Sequence, residues 1–268
     1  MTGTRKCWKR YARKSLSGKW IVAIAAMLIV GFIQLVGMLL GTALFPGTSI
    51  LATVAGEVFT FVVSLIVMIF STGYCYLRLN MCRGREYNLS NIFYVFHNQP
   101  DRVLIAGFVV AIINIVAQIP FYLFINLFET EDYIVWSLSY LLVWCLTLLL
   151  NLILTIPFML TFYLLADDAQ MGAMDALKIS VHKMKGHMWE YFKLKLSFIP
   201  LFIVAALPMG IGCIWMIPYM EFTDAVYYMY ITGELDRELA DKEIADNTPA
   251  VENAENFIDE KKSDIDNE

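Results

Sequence analysis

The stretch ISVHKMKGHMWEYFKLKLSF, Ile179 to Phe198, places histidine, lysine and glutamate between two apolar runs and could hold a metal ion or an acid–base pair. His182 and His187 are five residues apart, which separates them by about 140° around a helix. A pair at i, i+4 would share one face, as metal-binding helices require. The spacing therefore predicts no metal, no cofactor and no catalytic residue here, and it favours a segment that marks the edge of a membrane.

Carboxyl and amide side chains inside apolar runs are the second candidate for chemistry, because such groups often line an ion, proton or substrate path in a bilayer. Asn114 and Gln118 share one helical face at i, i+4. The alternative is that amides join helices, at about 0.6 kcal/mol per hydrogen bond. The candidate intramembrane polar cluster consists of Gln34, Asn114, Gln118, Asn151, Glu221 and Asp224.

The elements that must position these groups are membrane spans, because 59% hydrophobic and 17% charged residues lie outside the range of soluble domains. A span needs roughly 20 apolar residues. The uncharged runs that meet this length are Trp20–Phe45, Val58–Leu77, Val103–Phe128, Tyr133–Ala166 and Leu196–Met220. The fourth run is too long for one straight span, and Pro157 predicts a kink in it.

The basic residues predict the topology. All 16 bases that precede residue 234 lie in three segments, Arg5–Lys19, Arg78–Arg102 and Lys178–Lys195. Lys and Arg near span ends are retained on the cytoplasmic side. We therefore expect a multi-pass protein of the cell membrane, with the N-terminus and the three basic segments in the cytoplasm.

Two of these segments read as short basic amphipathic helices on the interface, each closed by a glycine and followed by tryptophan. Gly18 and Gly186 are these glycines. Each basic segment precedes apolar sequence, and this weak repeat predicts three hairpins.

The predicted fold class is all-α, a polytopic transmembrane helix bundle with six spans and cytoplasmic interfacial amphipathic helices. In this arrangement the chain turns at Pro208–Gly212, and a sixth helix returns to the cytoplasm. The alternative is five spans, with Leu196–Met220 crossing once and with Glu221 and Asp224 at the outer interface. The six-span arrangement instead puts both acids near the bilayer centre.

The chain divides into three parts by composition. Residues 1–19 form a cytoplasmic basic amphipathic segment, residues 20–233 the transmembrane bundle, and residues 234–268 an acidic tail. The tail has 13 acidic residues against 4 basic ones, a composition typical of disordered segments. We expect it to lie in the cytoplasm.

The bases beside the spans would bind anionic membrane lipids at up to about 1 kcal/mol each. Nucleic acid is not an expected partner. The leading function is therefore a non-enzymatic integral membrane protein that organises or assists membrane components through its basic cytoplasmic face. The alternative is a small transporter or channel that uses Glu221 and Asp224. The candidate head-group contacts are Lys19, Arg83, Arg85, Lys183 and Lys185.

Short motifs along the chain give it a resemblance to a known family. They are SGKW at Ser17–Trp20, RGRE at Arg83–Glu86, IPF at Ile156–Phe158, MKGHMW at Met184–Trp189, LSF at Leu196–Phe198 and GIGCIWMIPY at Gly210–Tyr219. The sequence resembles the uncharacterised bacterial membrane proteins called domain of unknown function nine-seven-five, common in Firmicutes. IPF departs from that pattern, in which a glycine follows the proline.

The resemblance implies a six-helix membrane fold, distantly like the membrane region of some glycerophosphodiester phosphodiesterases. It implies no established activity. The barrel of those enzymes has no counterpart in this sequence.

Overall fold

The computed structural model describes residues 4–46, 49–128 and 130–240. Within them the chain is helical and has no strand, which confirms the predicted all-α class. In chain order the α-helices are α1 (Arg5–Leu16), α2 (Trp20–Leu44), α3 (Ile50–Cys82), α4 (Tyr94–His97), α5 (Pro100–Leu127), α6 (Tyr133–Thr155), α7 (Thr161–Asp167), α8 (Ala173–Met184), α9 (Met188–Leu196), α10 (Ile199–Ala206) and α11 (Cys213–Ile231).

Four helical segments are long and apolar enough to cross a membrane, which identifies a membrane protein. They are Trp20–Leu44, Leu51–Cys82, Pro100–Leu127 and Tyr133–Asp167. The last is interrupted by a 3₁₀ helix at Ile156–Phe158, where Pro157 predicted a kink. The second begins well before the predicted Val58, because the side chain of Ser49 caps the helix by accepting a hydrogen bond from the Ala52 amide at 3.2 Å.

The glycine turns that end the first and third basic helices have the same backbone conformation. Ser17 has φ −60° and ψ 124°, and Lys185 has φ −58° and ψ 123°. The next residues, Gly18 and Gly186, have φ 76° and 88°. These are type II turns, in which only the third residue needs a positive φ. The sequence repeat is thus a repeated turn that ends an amphipathic helix, α1 in one case and α8 in the other.

Three helical hairpins follow the three basic segments. The first pairs α2 with α3, and the second pairs α5 with α6. In the third, α10 and α11 are joined by the expected turn, where Gly212 packs so closely that a Cβ there would lie 2.7 Å from the Cα of Ala205. With eight residues, α10 alone is about 12 Å long, less than the thickness of a bilayer.

The GxxxG of α2 lies in the first hairpin. Gly37 and Gly41 are buried and face α3, where a Cβ on Gly37 would lie 2.2 Å from Val63 Cγ1 and one on Gly41 would lie 3.3 Å from Phe59 Cδ1. Small residues let two helices approach this closely. The motif therefore packs the two helices of one hairpin against each other.

The packed core lies at the end of the molecule where the basic segments meet. Fully buried side chains come from short helices, from the last turns of α3 and from α11, among them Trp8, Leu79, Met184, Phe222 and Tyr227. At the opposite end the long helices expose apolar side chains, such as Leu51 at 80% and Ile134 at 67%. An apolar outer surface of this kind suits contact with lipid.

The folded part continues past the predicted boundary at residue 234. Residues 234–240 are helical, and Leu235 is fully buried. Leu235 holds this segment in the core, a long-range contact that acidic composition did not indicate. The rest of the predicted tail, residues 241–268, lies outside the described residues.

Candidate functional site

Side chains from the three basic segments come together at one end of the molecule, although the segments are far apart in sequence. The Tyr11 hydroxyl in α1 donates to the Cys82 carbonyl at the end of α3, at 3.3 Å. Lys19 Nζ lies 4.7 Å from the centre of the Tyr87 ring. Arg102 Nη1 donates to the Met171 carbonyl at 2.7 Å and so joins α5 to the loop before α8. We call this region the basic end.

Helix α1 separates its apolar and basic residues between two faces. The inner face packs against α3 and α11, and the core contact between Trp8 and Tyr227 is edge-to-face with centroids 4.9 Å apart. Burial of one face forces the other outward. The buried residues are Trp8, Tyr11, Ala12 and Leu16. The exposed bases are Arg5, Lys6, Arg10, Arg13 and Lys14.

Lys9 is the α1 base that is drawn inward. Its Nζ donates to the Ser197 carbonyl at 3.0 Å and lies 3.9 Å from the centre of the Phe198 ring. Partial burial and the nearby charge of Arg5 lower the pKa of Lys9. Lys9 thus anchors α1 to the break between α9 and α10, and the other bases remain free to face outward.

The five predicted head-group contacts differ in their availability. Arg85 and Lys185 are exposed, and Lys183 is half-buried. Lys19 is half-buried on Tyr87. The prediction for the fifth residue, Arg83, is corrected by the structure. Its side chain is only 8% exposed and forms ion pairs with two carboxylates, so it is not available to lipid.

Arg83 joins three elements. Its Nη1 and Nη2 donate to both oxygens of Asp167 at 2.6 and 2.8 Å, and Nη2 also donates to Glu234 at 2.7 Å. Burial alone would lower the pKa of Arg83, but the bonds and charges of the two carboxylates outweigh it and hold the pKa above its usual value. The result is a permanent cation that ties α3 to α7 and to the start of the tail.

Sequence reasoning did not single out the bases of α1 as lipid contacts, although their signal was present. The buried residues Trp8, Tyr11 and Ala12 follow the i, i+3, i+4 spacing of a helix face. The bases occupy the remaining positions. This pattern marks an amphipathic helix whose whole basic face is a candidate surface.

The two acids of the predicted polar cluster, Glu221 and Asp224, lie beside bases and not beside the amides. Asp224 accepts hydrogen bonds from Lys195 Nζ at 2.7 Å and from the Tyr191 hydroxyl at 3.2 Å. Both partners belong to α9, which runs beside this part of α11. A buried carboxylate needs a partner of this kind, because an unpaired charge in a low dielectric is costly.

Glu221 lies one turn before Asp224 and close to Arg78 of α3. Arg78 is 7% exposed, and its Nη1 donates to the backbone carbonyl of Glu221 at 3.2 Å. The guanidinium also lies 4.4 Å from the centre of the Tyr74 ring. One carboxyl oxygen of Glu221, Oε2, is buried without a hydrogen-bond partner among the described residues. Asp224 is therefore paired with a base through its carboxylate, whereas Glu221 is bonded to Arg78 only through its backbone carbonyl.

The predicted polar cluster is divided by the fold. Asn151 Nδ2 donates to Asn114 Oδ1 at 2.7 Å and joins α6 to α5. Gln34 and Gln118 are exposed on the outer surface of the helices. The structure does not bring the six predicted residues together, since Asp224 bonds Lys195 of α9 and Glu221 lies beside Arg78 of α3. Of these amides, Asn114 and Asn151 link two helices.

Comparison with known proteins identifies the family of the chain. No curated protein and no solved structure matches the chain. A family described as "Protein of unknown function (DUF975)" matches residues 1–234. Because the match covers most of the chain, from α1 through the whole helical body, the protein belongs to the DUF975 family.

Proposed function

We propose that the protein is a non-enzymatic integral membrane protein that binds anionic lipid head groups at its basic end. Through these lipids it organises or assists other components of a bacterial cell membrane. The observation that carries the proposal is α1, whose apolar face is buried in the core and whose bases Arg5, Lys6, Arg10, Arg13 and Lys14 face outward. A fixed array of this kind attracts an anionic surface.

The same proposal includes six spans with both ends of the chain in the cytoplasm. Four long helices cross the membrane, and α10 with α11 supplies a third hairpin. The contacts of Trp8 with Tyr230 and of Arg83 with Glu234 support this topology. The first contact joins the two ends of the described chain, and the second joins its C-terminal end to the middle basic segment, as an even number of crossings requires.

The experiment compares anionic and zwitterionic lipid on the purified protein. One exposed base is neutralised in each basic segment, in the variant Arg10→Gln, Arg85→Gln, Lys185→Gln. We expect phosphatidylglycerol to raise the thermal unfolding midpoint of the wild type more than phosphatidylcholine does, because ligands that bind only the folded state stabilise it. At up to about 1 kcal/mol per base, the variant should require roughly 10- to 100-fold more phosphatidylglycerol for the same shift.

The matched control keeps every charge and exchanges the residue types, Arg10→Lys, Arg85→Lys, Lys185→Arg. It should respond to phosphatidylglycerol as the wild type does. An equal response of the neutralised variant and the control would rule out lipid binding through this face.

The alternative function is transport of an ion or proton through the bundle, with Glu221 as its acid. The buried Oε2 atom without a partner favours it, whereas the pairing of Asp224 with Lys195 opposes it. Proton flux into liposomes, followed with a pH-sensitive dye, separates the two functions. Transport predicts flux that Glu221→Gln abolishes; lipid binding predicts no flux above protein-free liposomes and an unchanged response to phosphatidylglycerol in that variant.

A further inference from the structure

A cavity of about 430 Å³ lies between the start of α1 and α9. We propose that it binds one phosphate group, which belongs to a phospholipid head group or to free phosphate. The inference rests on the proposed function, since it assigns a specific ligand site within the basic end. The cavity, here called the α1–α9 pocket, is lined by Thr4, Arg5, Lys6, Trp8, Glu190 and Lys193.

The charge of the pocket suits an anion. Arg5, Lys6 and Lys193 contribute three cations and are exposed, so a ligand can reach them. The single acid, Glu190, lies with its carboxylate 3.1 Å from His187 Nδ1. Arg and Lys are the side chains that hold phosphate oxygens in proteins, and Arg does so with two parallel donors.

Two kinds of unused donor also point to a ligand with acceptor oxygens. Helix α1 starts in the pocket, and the side chain of Thr4 makes no capping hydrogen bond. The first amides of a helix are natural donors to an anion. Independently, Trp8 is only 1% exposed, and its Nε1 is buried without a hydrogen-bond partner among the described residues. An indole N–H only donates and is costly to bury unpaired.

The position of the pocket matches the depth of lipid head groups. Trp189 lies on α9 next to the pocket residue Glu190, and its side chain is 62% exposed. Its ring stacks on Phe192, with centroids 5.3 Å apart, and Lys193 Nζ lies 5.1 Å from its centre. Exposed tryptophan beside lysine is typical of the membrane–water interface.

Trp8 provides a direct readout of binding. The full-length protein, labelled with ¹⁵N at its six tryptophans, is held in zwitterionic micelles. It is titrated with inorganic phosphate in one arm and with phosphatidylglycerol in the other. The indole signal of Trp8 is identified by its loss in Trp8→Phe. We expect a saturable shift of this signal, and a midpoint at least tenfold higher in the double variant Arg5→Gln, Lys193→Gln.

The control Lys261→Gln, Lys262→Gln removes the same charge from the acidic tail and should keep the wild-type midpoint. A shift with both ligands assigns the pocket to the phosphate group itself, and a shift with phosphatidylglycerol alone assigns it to a lipid. The proposal is overturned if neither ligand shifts Trp8, or if pocket and control variants weaken equally. The lipid proposal for Arg10, Arg85 and Lys185 is decided separately by the unfolding experiment, which leaves the pocket residues intact.

Discussion

Arg83 and Arg85 are chemically identical and only two residues apart, yet the fold uses them differently. Arg83 closes the end of α3 and is held by Asp167 and Glu234. Arg85 follows Gly84, which has a φ of 68°, and its side chain is exposed. The left-handed glycine reverses the chain between them. One base is thereby a structural tie, and the other remains available to lipid.

The difference predicts unequal effects of the same substitution. Arg83→Gln should lower the free energy of unfolding by about 2–3 kcal/mol, because it leaves two partly buried carboxylates without their cation. Arg85→Gln should change it by less than about 0.5 kcal/mol, as is usual for an exposed side chain. Chemical denaturation in micelles measures both values. Equal losses would contradict the role of Arg83 as the tie between α3, α7 and the tail.

At the scale of elements, one glycine allows the middle basic segment to pack on α3. Gly73 is buried, and a Cβ there would lie 1.9 Å from the backbone carbonyl oxygen of Ile92. Ile92 belongs to the 3₁₀ helix Leu89–Phe93 and is itself fully buried. Because backbone atoms meet at this point, no change of rotamer can relieve the contact. The absence of a side chain at Gly73 positions the whole segment.

Gly73→Ala should therefore destabilise the protein by about 3 kcal/mol or more, since overpacking forces a backbone shift. The matched control is Gly31→Ala in α2, where no atom lies within 4 Å of an added Cβ. There the better helix propensity of alanine should leave stability unchanged or raised by up to about 1 kcal/mol. Thermal unfolding of the two variants compares them, and a Gly73→Ala protein as stable as Gly31→Ala would refute the close contact.

At the scale of the whole molecule, the fold joins a tightly packed basic end to four apolar segments that expose much of their surface. The short helices α1, α7, α8 and α9 and part of α11 build the packed end. The long helices contribute fewer buried residues towards their far ends. This distribution suits a bilayer, where lipid replaces protein as the neighbour of an apolar side chain.

The side of the membrane on which each terminus lies tests the six-span topology. Fluorescent-protein and alkaline-phosphatase reporters are fused after Glu268, and a matched pair is fused before Met1. We expect both ends to report the cytoplasm, because Glu234 contacts Arg83 within the basic end and basic segments stay inside. A C-terminal reporter active only outside the cytoplasm would require an odd number of spans and would contradict the six-span proposal.

Local properties of the sequence determined the class of the protein and much of its outline. Apolar runs predicted the four long helical segments, Pro157 predicted the break within the fourth, and Pro208–Gly212 predicted the last turn. Gly18 and Gly186 predicted the ends of two amphipathic helices. These features depend on hydropathy or on the backbone preference of a single glycine or proline. Both are local properties of a short stretch of sequence.

Only the tertiary structure decided the use of individual polar side chains. Type and spacing could not distinguish Arg83 from Arg85, nor separate Asn114, which bonds Asn151, from the exposed Gln118. They also could not place Asp224 beside Lys195. The partners of these residues come from distant parts of the chain and are brought into contact when the helices pack together. A polar group in an apolar chain takes its role from the partner that the fold brings to it.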